Sequence, residues 1–197
     1  MDNKFKKFEQ IFLEKNKKLN LISKNDEKYL YEKHIFDSLS ITKFFEKNDI
    51  TKFSTILDIG TGGGFPAIPI AIQYPYINVT AIDSIKKKIN AVNEISQKLG
   101  LKNLTTICDR VENIKDKKFD IVVTRAVAKL DLLIKYAIPL LNKNGFLIAY
   151  KSKTVNEEID ISKNILKKYG AKIVDIINYT LPTEEYYERN LVIIKNA

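Results

Sequence analysis

Residues 58–66 read Asp58-Ile59-Gly60-Thr61-Gly62-Gly63-Gly64-Phe65-Pro66. The segment before them, 54–59, is typical of a buried parallel strand, and the apolar segment after them, 66–74, is typical of a buried helix. A strand, a glycine-rich turn and a helix together form the unit that holds nucleotides in doubly wound α/β proteins. Glycine suits this turn because it has no Cβ, so the backbone can bend sharply and approach a ligand.

The glycine spacing distinguishes between kinds of nucleotide ligand. A dinucleotide-binding loop has glycine at its first, third and sixth positions, whereas the sixth position here is Phe65. The chain instead reads acid-x-Gly-x-Gly-x-Gly from Asp58 through Gly64, which is similar to the first motif of S-adenosylmethionine-dependent methyltransferases. A second acid, Asp83, follows the next predicted strand, where a carboxylate can accept hydrogen bonds from both hydroxyls of a ribose. We therefore expect S-adenosylmethionine as the cofactor rather than a glycine-rich turn without a ligand.

Strands and helices are predicted to alternate along the rest of the chain. The predicted strands are 54–59, 78–82, 105–108, 119–123, 145–150, 172–178 and 191–195, and the main helices between them are 66–74, 85–99, 128–141 and 154–168. This alternation predicts a doubly wound, Rossmann-like class I methyltransferase fold with a mostly parallel seven-stranded sheet. Two further helices, 2–19 and 27–45, precede the first strand. We expect one domain over residues 1–197, with a helical extension at 1–50 and a core at 51–197, and loops at 142–145 and 180–184.

Composition limits the classes of protein to which the chain can belong. With 197 residues, of which 45% are hydrophobic, it can form one packed core. No apolar run approaches the ~20 residues of a membrane span, and the first residues lack the apolar region of a signal peptide. The single cysteine, Cys108, excludes an internal disulfide and a multi-cysteine metal site. We therefore expect a cytoplasmic protein that binds neither a membrane nor a metal.

The formal net charge of +9 favours a polyanionic partner such as nucleic acid. The competing interpretation is that the lysines only cover solvated helix faces, and charge alone does not decide between the two. The three arginines, Arg110, Arg125 and Arg189, are more specific. In a chain that uses lysine almost everywhere, they are candidates for sites that need a planar, forked donor.

Several short segments carry a closer resemblance and occur in a fixed order. They are Asn20-Leu21-Ile22-Ser23, Lys33-His34-Ile35-Phe36-Asp37-Ser38-Leu39, Gly64-Phe65-Pro66, Asp83-Ser84, Arg110-Val111-Glu112, Thr124-Arg125-Ala126 and Arg189-Asn190-Leu191-Val192. Together they resemble the bacterial ribosomal small-subunit RNA methyltransferase G family, also called glucose-inhibited division protein B. The resemblance implies that a methyl group passes from S-adenosylmethionine to N7 of one guanine in 16S ribosomal RNA. It also implies 16S RNA or the 30S subunit as partner, and we expect a monomer.

The resemblance implies cofactor contacts at particular positions. Gly60 falls in the first loop, where the backbone approaches the methionine part of the cofactor, and Phe65 in the same loop packs against the cofactor. Val111 and Glu112 follow the third strand and address the adenine. Arg125 follows the fourth strand and contacts the cofactor.

Further cofactor residues follow the general methyltransferase pattern. In that pattern Asp58 and Asp83 anchor the amino and ribose groups, Gly62 belongs to the loop that contacts the cofactor, and Asp109 is a weaker candidate. The family usually has glycine where this chain has Ala67, which leaves the start of the following helix in question.

The chemistry of guanine N7 limits what the site must contain. This nitrogen carries a free lone pair and no proton, so no general base is expected. Catalysis then depends on holding N7 in line with the methyl carbon and on complementary charge. Arg125 is the predicted catalytic residue, in a positioning role that requires its forked guanidinium.

For several other side chains we favour a structural role over a functional one. The only histidine, His34, is expected to bond Asp37 (three residues ahead) or the backbone. Cys108 is expected to be a small buried residue rather than a nucleophile. The aromatic rings of Tyr29, Tyr31 and Phe36 are expected to pack in the core, with stacking on a splayed base as the alternative.

Two other functions stay open from the sequence. One is methylation of a small molecule on the same fold, and the other is a basic RNA-binding domain without catalysis. Binding of S-adenosylmethionine discriminates against the second, and methyl transfer to 16S RNA in 30S subunits discriminates against both.

Overall fold

A computed structural model describes residues 3–153 and 155–196. The α-helices are α1 (Asn3–Leu19), α2 (Asp37–Leu39), α3 (Thr42–Phe45), α4 (Ala67–Gln73), α5 (Lys86–Leu99), α6 (Leu130–Ala137) and α7 (Val155–Tyr169). The strands are β1 (Thr55–Ile59), β2 (Asn78–Asp83), β3 (Leu104–Cys108), β4 (Phe119–Arg125), β5 (Leu141–Ser152), β6 (Lys172–Thr180) and β7 (Glu188–Lys195). Short 3-10 turns lie at Lys24–Tyr29, Ile50–Lys52, Val111–Asn113 and Ile138–Leu140, and a π-helix lies at Leu30–Phe36.

The strands form one seven-stranded sheet in the order β3-β2-β1-β4-β5-β7-β6. Strands β1 to β5 pair in parallel, while β7 is antiparallel to both of its neighbours. The predicted mostly parallel sheet is therefore confirmed. The chain moves outward from β1 in one direction to β3 and then crosses back to β4, so the order reverses between β1 and β4. Open α/β sheets bind ligands at the carboxyl ends of the strands at such a reversal.

Helices cover both faces of the sheet, which explains why the central strand β1 is mostly apolar. In β1, Ile56 packs with Ile70 of α4 on one face, while Leu57 packs with Leu133 of α6 on the other. The four successive residues after the half-buried Thr55 are therefore all buried, as expected for a parallel strand inside an α/β layer.

The first helix packs its aromatic stripe against the core. Phe5, Phe8 and Phe12 of α1 are buried, and the ring centroid of Phe12 lies 5.0 Å from that of Phe65 in an edge-on contact. This confirms the predicted helix, although its predicted first residue, Asp2, lies outside the described residues. Phe65 of the glycine loop therefore packs directly against the helical extension.

The second predicted helix, 27–45, is wrong as a continuous α-helix. The segment winds as a 3-10 turn, the π-helix Leu30–Phe36, and then the short helices α2 and α3. The hydroxyls of Ser38 and Ser40 donate to carbonyl oxygens four residues earlier, at distances of 2.6 and 3.2 Å. Such bonds bend a helix, and a π-helix is a wider winding that often occurs at functional sites. The altered winding changes which way His34 and Asp37 face.

Smaller differences occur at element ends. The segment 142–145, predicted as a loop, belongs to the beginning of β5, where the pairing shifts from Phe119↔Leu141 to Ile121↔Phe146. The four residues 142–145 of β5 therefore lie opposite the single residue Asp120 of β4. This part of β5 is an irregular strand whose composition is typical of a loop. Helix α6 ends at Ala137, before the predicted end at 141, because the residues around Pro139 tighten into a 3-10 turn. Among the described residues, no helix is both long and apolar enough to cross a bilayer.

Candidate cofactor and RNA site

Two adjoining clefts open at the carboxyl ends of the strands. The first has a volume of about 380 Å³, and its walls include Asp83, Asp109, Val111, Glu112 and Tyr136. The second has a volume of about 710 Å³, and its walls include His34, Gly62, Phe65, Arg125 and Arg189. Gly60, Lys88 and Ala126 line both. The clefts therefore meet at the glycine loop, where the sheet order reverses.

Gly60 and Gly62 have different surroundings within the loop. Both have left-handed backbone angles, with φ of +70° and +56°. A Cβ at Gly60 would lie 2.6 Å from Cγ2 of Val127, whereas at Gly62 the nearest heavy atom would be the Gly60 carbonyl oxygen at 4.0 Å. Gly60 is therefore required by steric contact as well as by its backbone conformation, while Gly62 faces open space.

Asp83, at the end of β2, organises the loop. Its Oδ2 accepts a hydrogen bond from the Gly62 amide at 3.0 Å, and its Oδ1 accepts one from the Ile85 amide at 2.9 Å. The structure thus brings together two of the predicted cofactor residues. An ionised carboxylate has about four lone-pair sites, so Asp83 can accept further hydrogen bonds.

Asp58 is fully buried beneath the loop. Its Oδ2 accepts a hydrogen bond from the Ala67 amide at 3.2 Å, while Oδ1 is buried without a hydrogen-bond partner among the described residues. Burial raises the pKa of this carboxyl to about 7, with the Thr61 hydroxyl acting in the opposite direction. A cationic group beside Oδ1 would favour the ionised form, so this position is suited to an ammonium group.

The raised pKa of Asp58 predicts that the difference in stability between wild type and Asp58→Asn depends on pH. An unfolded aspartate has a pKa of about 3.9, so the Asp58 contribution to stability is present below that value and is lost as pH rises through about 7. Asp58→Asn removes this loss. We expect its melting temperature to rise relative to wild type between pH 5 and pH 8, measured by thermal unfolding. Asp109→Asn, at an exposed carboxylate, is the control, and an unchanged difference across this pH range would contradict the prediction.

Arg125, the last residue of β4, contacts the helical extension. Its Nη1 donates to the Lys33 carbonyl oxygen at 3.1 Å and to Asp37 Oδ2 at 3.0 Å, and its Nη2 lies 2.9 Å from His34 Nδ1. The guanidinium carbon is 5.3 Å from the centroid of the Phe65 ring. The forked donor predicted from arginine usage is therefore present, but its contacts within the protein are to the extension. A contact between Arg125 and the cofactor stays a prediction.

Asp37 joins the extension to two strands. Its side chain is only 5% exposed, and its Oδ1 accepts a hydrogen bond from the Tyr179 hydroxyl at 2.6 Å. The Tyr150 hydroxyl donates to the Ser38 carbonyl oxygen at 2.7 Å. Burial, followed by the charge of Asp37, raises the pKa of both tyrosines. The extension is thus attached to β4, β5 and β6 by buried polar contacts.

The expectation that His34 bonds Asp37 or the backbone is wrong. His34 instead lies beside Arg125 and above Phe65, with a ring-centroid distance of 5.2 Å. Burial and the neighbouring guanidinium lower the pKa of His34 to about 3. The ring is therefore neutral, and because Arg125 can only donate, Nδ1 is the acceptor and Nε2 carries the proton.

The sequence profile described as GidB, rRNA small subunit methyltransferase G, matches residues 1–187. This chain belongs to that family. A protein of Listeria welshimeri serovar 6b, named ribosomal RNA small subunit methyltransferase G, is 37% identical over 198 residues, which cover 98% of this chain and 82% of the relative. The Bacillus licheniformis protein of the same name is 37% identical over 196 residues, covering 97% and 80%.

The fold is similar to that of solved methyltransferases. Magnesium protoporphyrin IX methyltransferase from Synechocystis PCC 6803, solved with bound S-adenosylmethionine, superposes with a TM-score of 0.65 at 18% identity, over 83% of this chain and 79% of that one. The class I methyltransferase fold is therefore confirmed for this member of the GidB family.

The remaining predicted residues of this GidB family member lie in the first cleft. Val111 and Glu112 form the 3-10 turn after β3, with Asp109 just before them. The prediction that Cys108 is buried is wrong, since Cys108 is exposed. Cys108 is the last residue of β3. Because β3 is the edge strand of the sheet, no further strand lies beside Cys108 on its outer side.

Sequence reasoning missed the side chains that hold the β4–α6 loop over the glycine loop. Lys151 Nζ donates to the Ala128 carbonyl oxygen at 2.8 Å and to Glu158 at 2.6 Å. Glu158 also accepts a hydrogen bond from the Leu130 amide at 2.7 Å. These bonds hold the loop that carries Val127. Lys151 at the end of β5 and Glu158 on α7 follow no periodicity that would have predicted this contact.

The aromatic residues of the extension have separate environments. Tyr31 and Phe36 pack against hydrophobic clusters, as predicted. Tyr29 instead has the ammonium groups of Lys28 and Lys33 4.7 and 4.9 Å from its ring centroid. Among residues 3–153 and 155–196, no group of three or more His, Cys, Asp and Glu side chains is arranged to hold a metal ion.

Proposed function

We propose that this protein transfers the methyl group of S-adenosylmethionine to N7 of one guanine in 16S ribosomal RNA. Membership of the GidB family makes it an S-adenosylmethionine-dependent methyltransferase of small-subunit ribosomal RNA. The target atom is the part that we propose. The observation that supports it is the meeting of the two clefts at Gly60, where the first has three acidic and two basic side chains in its walls and the second has three acidic and five basic ones.

The first cleft and the glycine loop fit the cofactor. We propose that S-adenosylmethionine is held by Asp58, Gly60, Gly62, Phe65, Asp83, Val111, Glu112 and Arg125. Asp58 is fully buried and lines neither cleft, so we propose that its carboxylate acts on the ammonium of the methionine part through its charge. Asp83 lies where a ribose is bound in doubly wound proteins. When bound, the cofactor supplies a methyl group on a positively charged sulfur.

The second cleft fits a reaction that requires no proton abstraction. The His34 ring accepts a hydrogen bond from Arg125, and Asp37 is occupied by Arg125 and Tyr179. Neither of these groups is available as a general base. Guanine N7 needs none, because its lone pair attacks the methyl carbon directly. We propose that Arg125 acts by positioning and by electrostatic complementarity.

The basic side chains of the second cleft support an RNA substrate. Its walls include Lys33, Lys88, Lys151 and Arg189. Arg189 and Lys33 both lie against the ring of Tyr187, at 5.8 and 4.9 Å from its centroid. We propose that the protein acts as a monomer in the cytoplasm, on 16S RNA or the 30S subunit, without a metal, and that residues 1–197 form one domain.

RNA binding is expected to depend strongly on salt. Each phosphate that a lysine or arginine neutralises releases counterions, so several such contacts lower affinity by about two to five orders of magnitude between ~50 and ~200 mM salt. Filter binding of 16S RNA over this range measures the slope. Cofactor affinity, measured by calorimetry over the same range, is the control. A flat RNA response would favour methylation of a small molecule.

The proposed reaction is tested by methyl transfer from labelled S-adenosylmethionine. Wild-type protein is incubated with 30S subunits and, separately, with naked 16S RNA, and the labelled base is then mapped. We expect one N7-methylguanine in the 16S RNA of at least one of the two substrates. Label on a different atom or on another RNA would overturn the N7 assignment.

A further inference from the structure

The guanidinium of Arg125 is oriented by contacts from three sides. Three of its five N–H groups have partners, which are the Lys33 carbonyl oxygen and Asp37 Oδ2 for Nη1, and His34 Nδ1 for Nη2. One face of the group lies against the Phe65 ring. Among the described residues, the Nε–H and the second Nη2–H have no partner. Arg125 lines the second cleft, so these two donors are the ones left for a ligand.

His34 makes the one hydrogen bond to Nη2 that the described residues provide. Without it, the hydrogen bonds that remain are both made by one nitrogen, Nη1. The Nη2 end then has no hydrogen-bond partner among the described residues, whereas the bond to His34 holds that end and restricts rotation about the Nε–Cζ bond. The neutral His34 ring supplies an acceptor at Nδ1, which a protonated ring would lack.

We propose that His34 is a positioning residue for methyl transfer, which orients Arg125 so that its Nε–H and remaining Nη2–H donate to an oxygen acceptor in the second cleft. This inference rests on the proposed function. The acceptor oxygen belongs either to the carboxylate of the cofactor or to O6 of the target guanine. A fixed fork gives stronger and more directional hydrogen bonds to such an oxygen than a pivoting one.

Substitutions at His34 separate this role from packing. In asparagine the side-chain oxygen is as many bonds from Cα as Nδ1 is in histidine, so His34→Asn keeps the acceptor. His34→Gln places its oxygen one bond further away, and His34→Leu removes the acceptor but keeps apolar bulk. We expect kcat to fall at least ~10-fold in the Leu and Gln variants and to recover to within ~3-fold of wild type in the Asn variant. Wild-type kcat in His34→Leu would overturn the proposal.

A double-mutant cycle tests whether His34 acts through Arg125. Residues that act as a unit have non-additive effects, so we expect His34→Leu to lower kcat no further in an Arg125→Lys background. Additive losses would show that His34 acts by another route. Thr42→Val is the matched control, because Thr42 lies elsewhere in the extension and its hydroxyl bonds the hydroxyl of Tyr74, which follows α4. It is expected to change stability without changing kcat.

Nuclear magnetic resonance of the arginine side chains gives a readout that needs no substrate. The chain has only three arginines, so ¹⁵N guanidinium spectra are simple to assign. We expect restricted rotation of the Arg125 guanidinium in wild type and His34→Asn, and averaged signals in His34→Leu. Averaged signals in wild type would overturn the proposal, even if 16S RNA proved not to be the substrate.

Cofactor affinity then identifies the acceptor oxygen. If His34→Leu weakens binding of S-adenosylmethionine in calorimetry, the oxygen belongs to the cofactor carboxylate. If affinity is unchanged while kcat falls, it belongs to the base. Both results support orientation of Arg125 by His34. If His34→Leu changes neither the affinity for S-adenosylmethionine nor kcat, the proposal is contradicted.

Discussion

Arg125→Leu is expected to abolish measurable methyl transfer and to lower the free energy of unfolding by about 3–5 kcal/mol. The Arg125–Asp37 ion pair has side-chain exposures of only 15% and 5%. Removing the guanidinium leaves a buried carboxylate whose remaining side-chain donor is the Tyr179 hydroxyl. The buried ion pair therefore gives this position a large effect on stability as well as on methyl transfer.

A double variant separates stability from catalysis at this pair. Replacing both charges, as in Arg125→Leu with Asp37→Leu, removes the uncompensated buried charge, and apolar replacement of a whole buried pair is often neutral. We expect the double variant to regain most of the lost stability in denaturant unfolding while methyl transfer stays absent. Recovery of transfer together with stability would show that Arg125 has only a structural role.

Arg125→Lys is the milder comparison. It keeps the positive charge near Asp37 and loses the planar fork, so we expect a fall in transfer rate of at least ~10-fold, equivalent to about 1.4 kcal/mol. Transfer at the wild-type rate in this variant would contradict a role for the fork.

Gly60→Ala is expected to destroy cofactor binding and to destabilise the fold, two effects that have one steric origin. The new Cβ would lie 2.6 Å from Cγ2 of Val127, on a backbone with φ of +70°. Either the exposed Val127 side chain would have to rotate, or the β4–α6 loop would have to move from its position over the glycine loop, where both clefts meet. We expect calorimetry to detect no S-adenosylmethionine binding.

Two further variants separate backbone strain from steric contact with Val127 as the cause of the loss. Gly62→Ala has the same left-handed backbone problem, with φ of +56°, but meets no atom closer than 4.0 Å, so a smaller loss is expected. Val127→Ala in the Gly60→Ala background removes the two clashing methyl groups and should restore part of the binding. Equal losses at Gly60 and Gly62 would show that backbone strain, rather than contact with Val127, limits the loop.

The local pattern of the chain was sufficient to predict the sheet and one wall of the site. Strands β1 and β2 are mostly apolar and each has an acid at or next to its carboxyl end, and the segment from Asp58 to Gly64 contains its whole signal within seven residues. Parallel strands share a carboxyl edge, so acids at consecutive strand ends must come together. The hydrogen bond from the Gly62 amide to Asp83 accordingly joins the loop after β1 to the end of β2.

The second wall depends on contacts between residues far apart in the chain. Arg125 meets His34 and Asp37 across 91 and 88 residues, and Tyr179 meets Asp37 across 142. No periodicity relates such positions. The motif containing His34 and Asp37 was visible in the sequence, but an α-helix was assumed, in which the two side chains would face each other. In the structure both side chains instead bond the guanidinium of Arg125 in the wall of the second cleft.

Sequence by itself therefore determined the class of fold, the family and the acidic, glycine-rich half of the site, because those signals are local and follow strand and helix periods. Tertiary structure alone decided that Arg125 is held by the helical extension, that Val127 covers Gly60, and that His34 is neutral with its acceptor nitrogen toward the guanidinium. The physical reason is that burial and pairing of charges depend on what surrounds a side chain in space, and adjacent residues in the chain do not specify those surroundings.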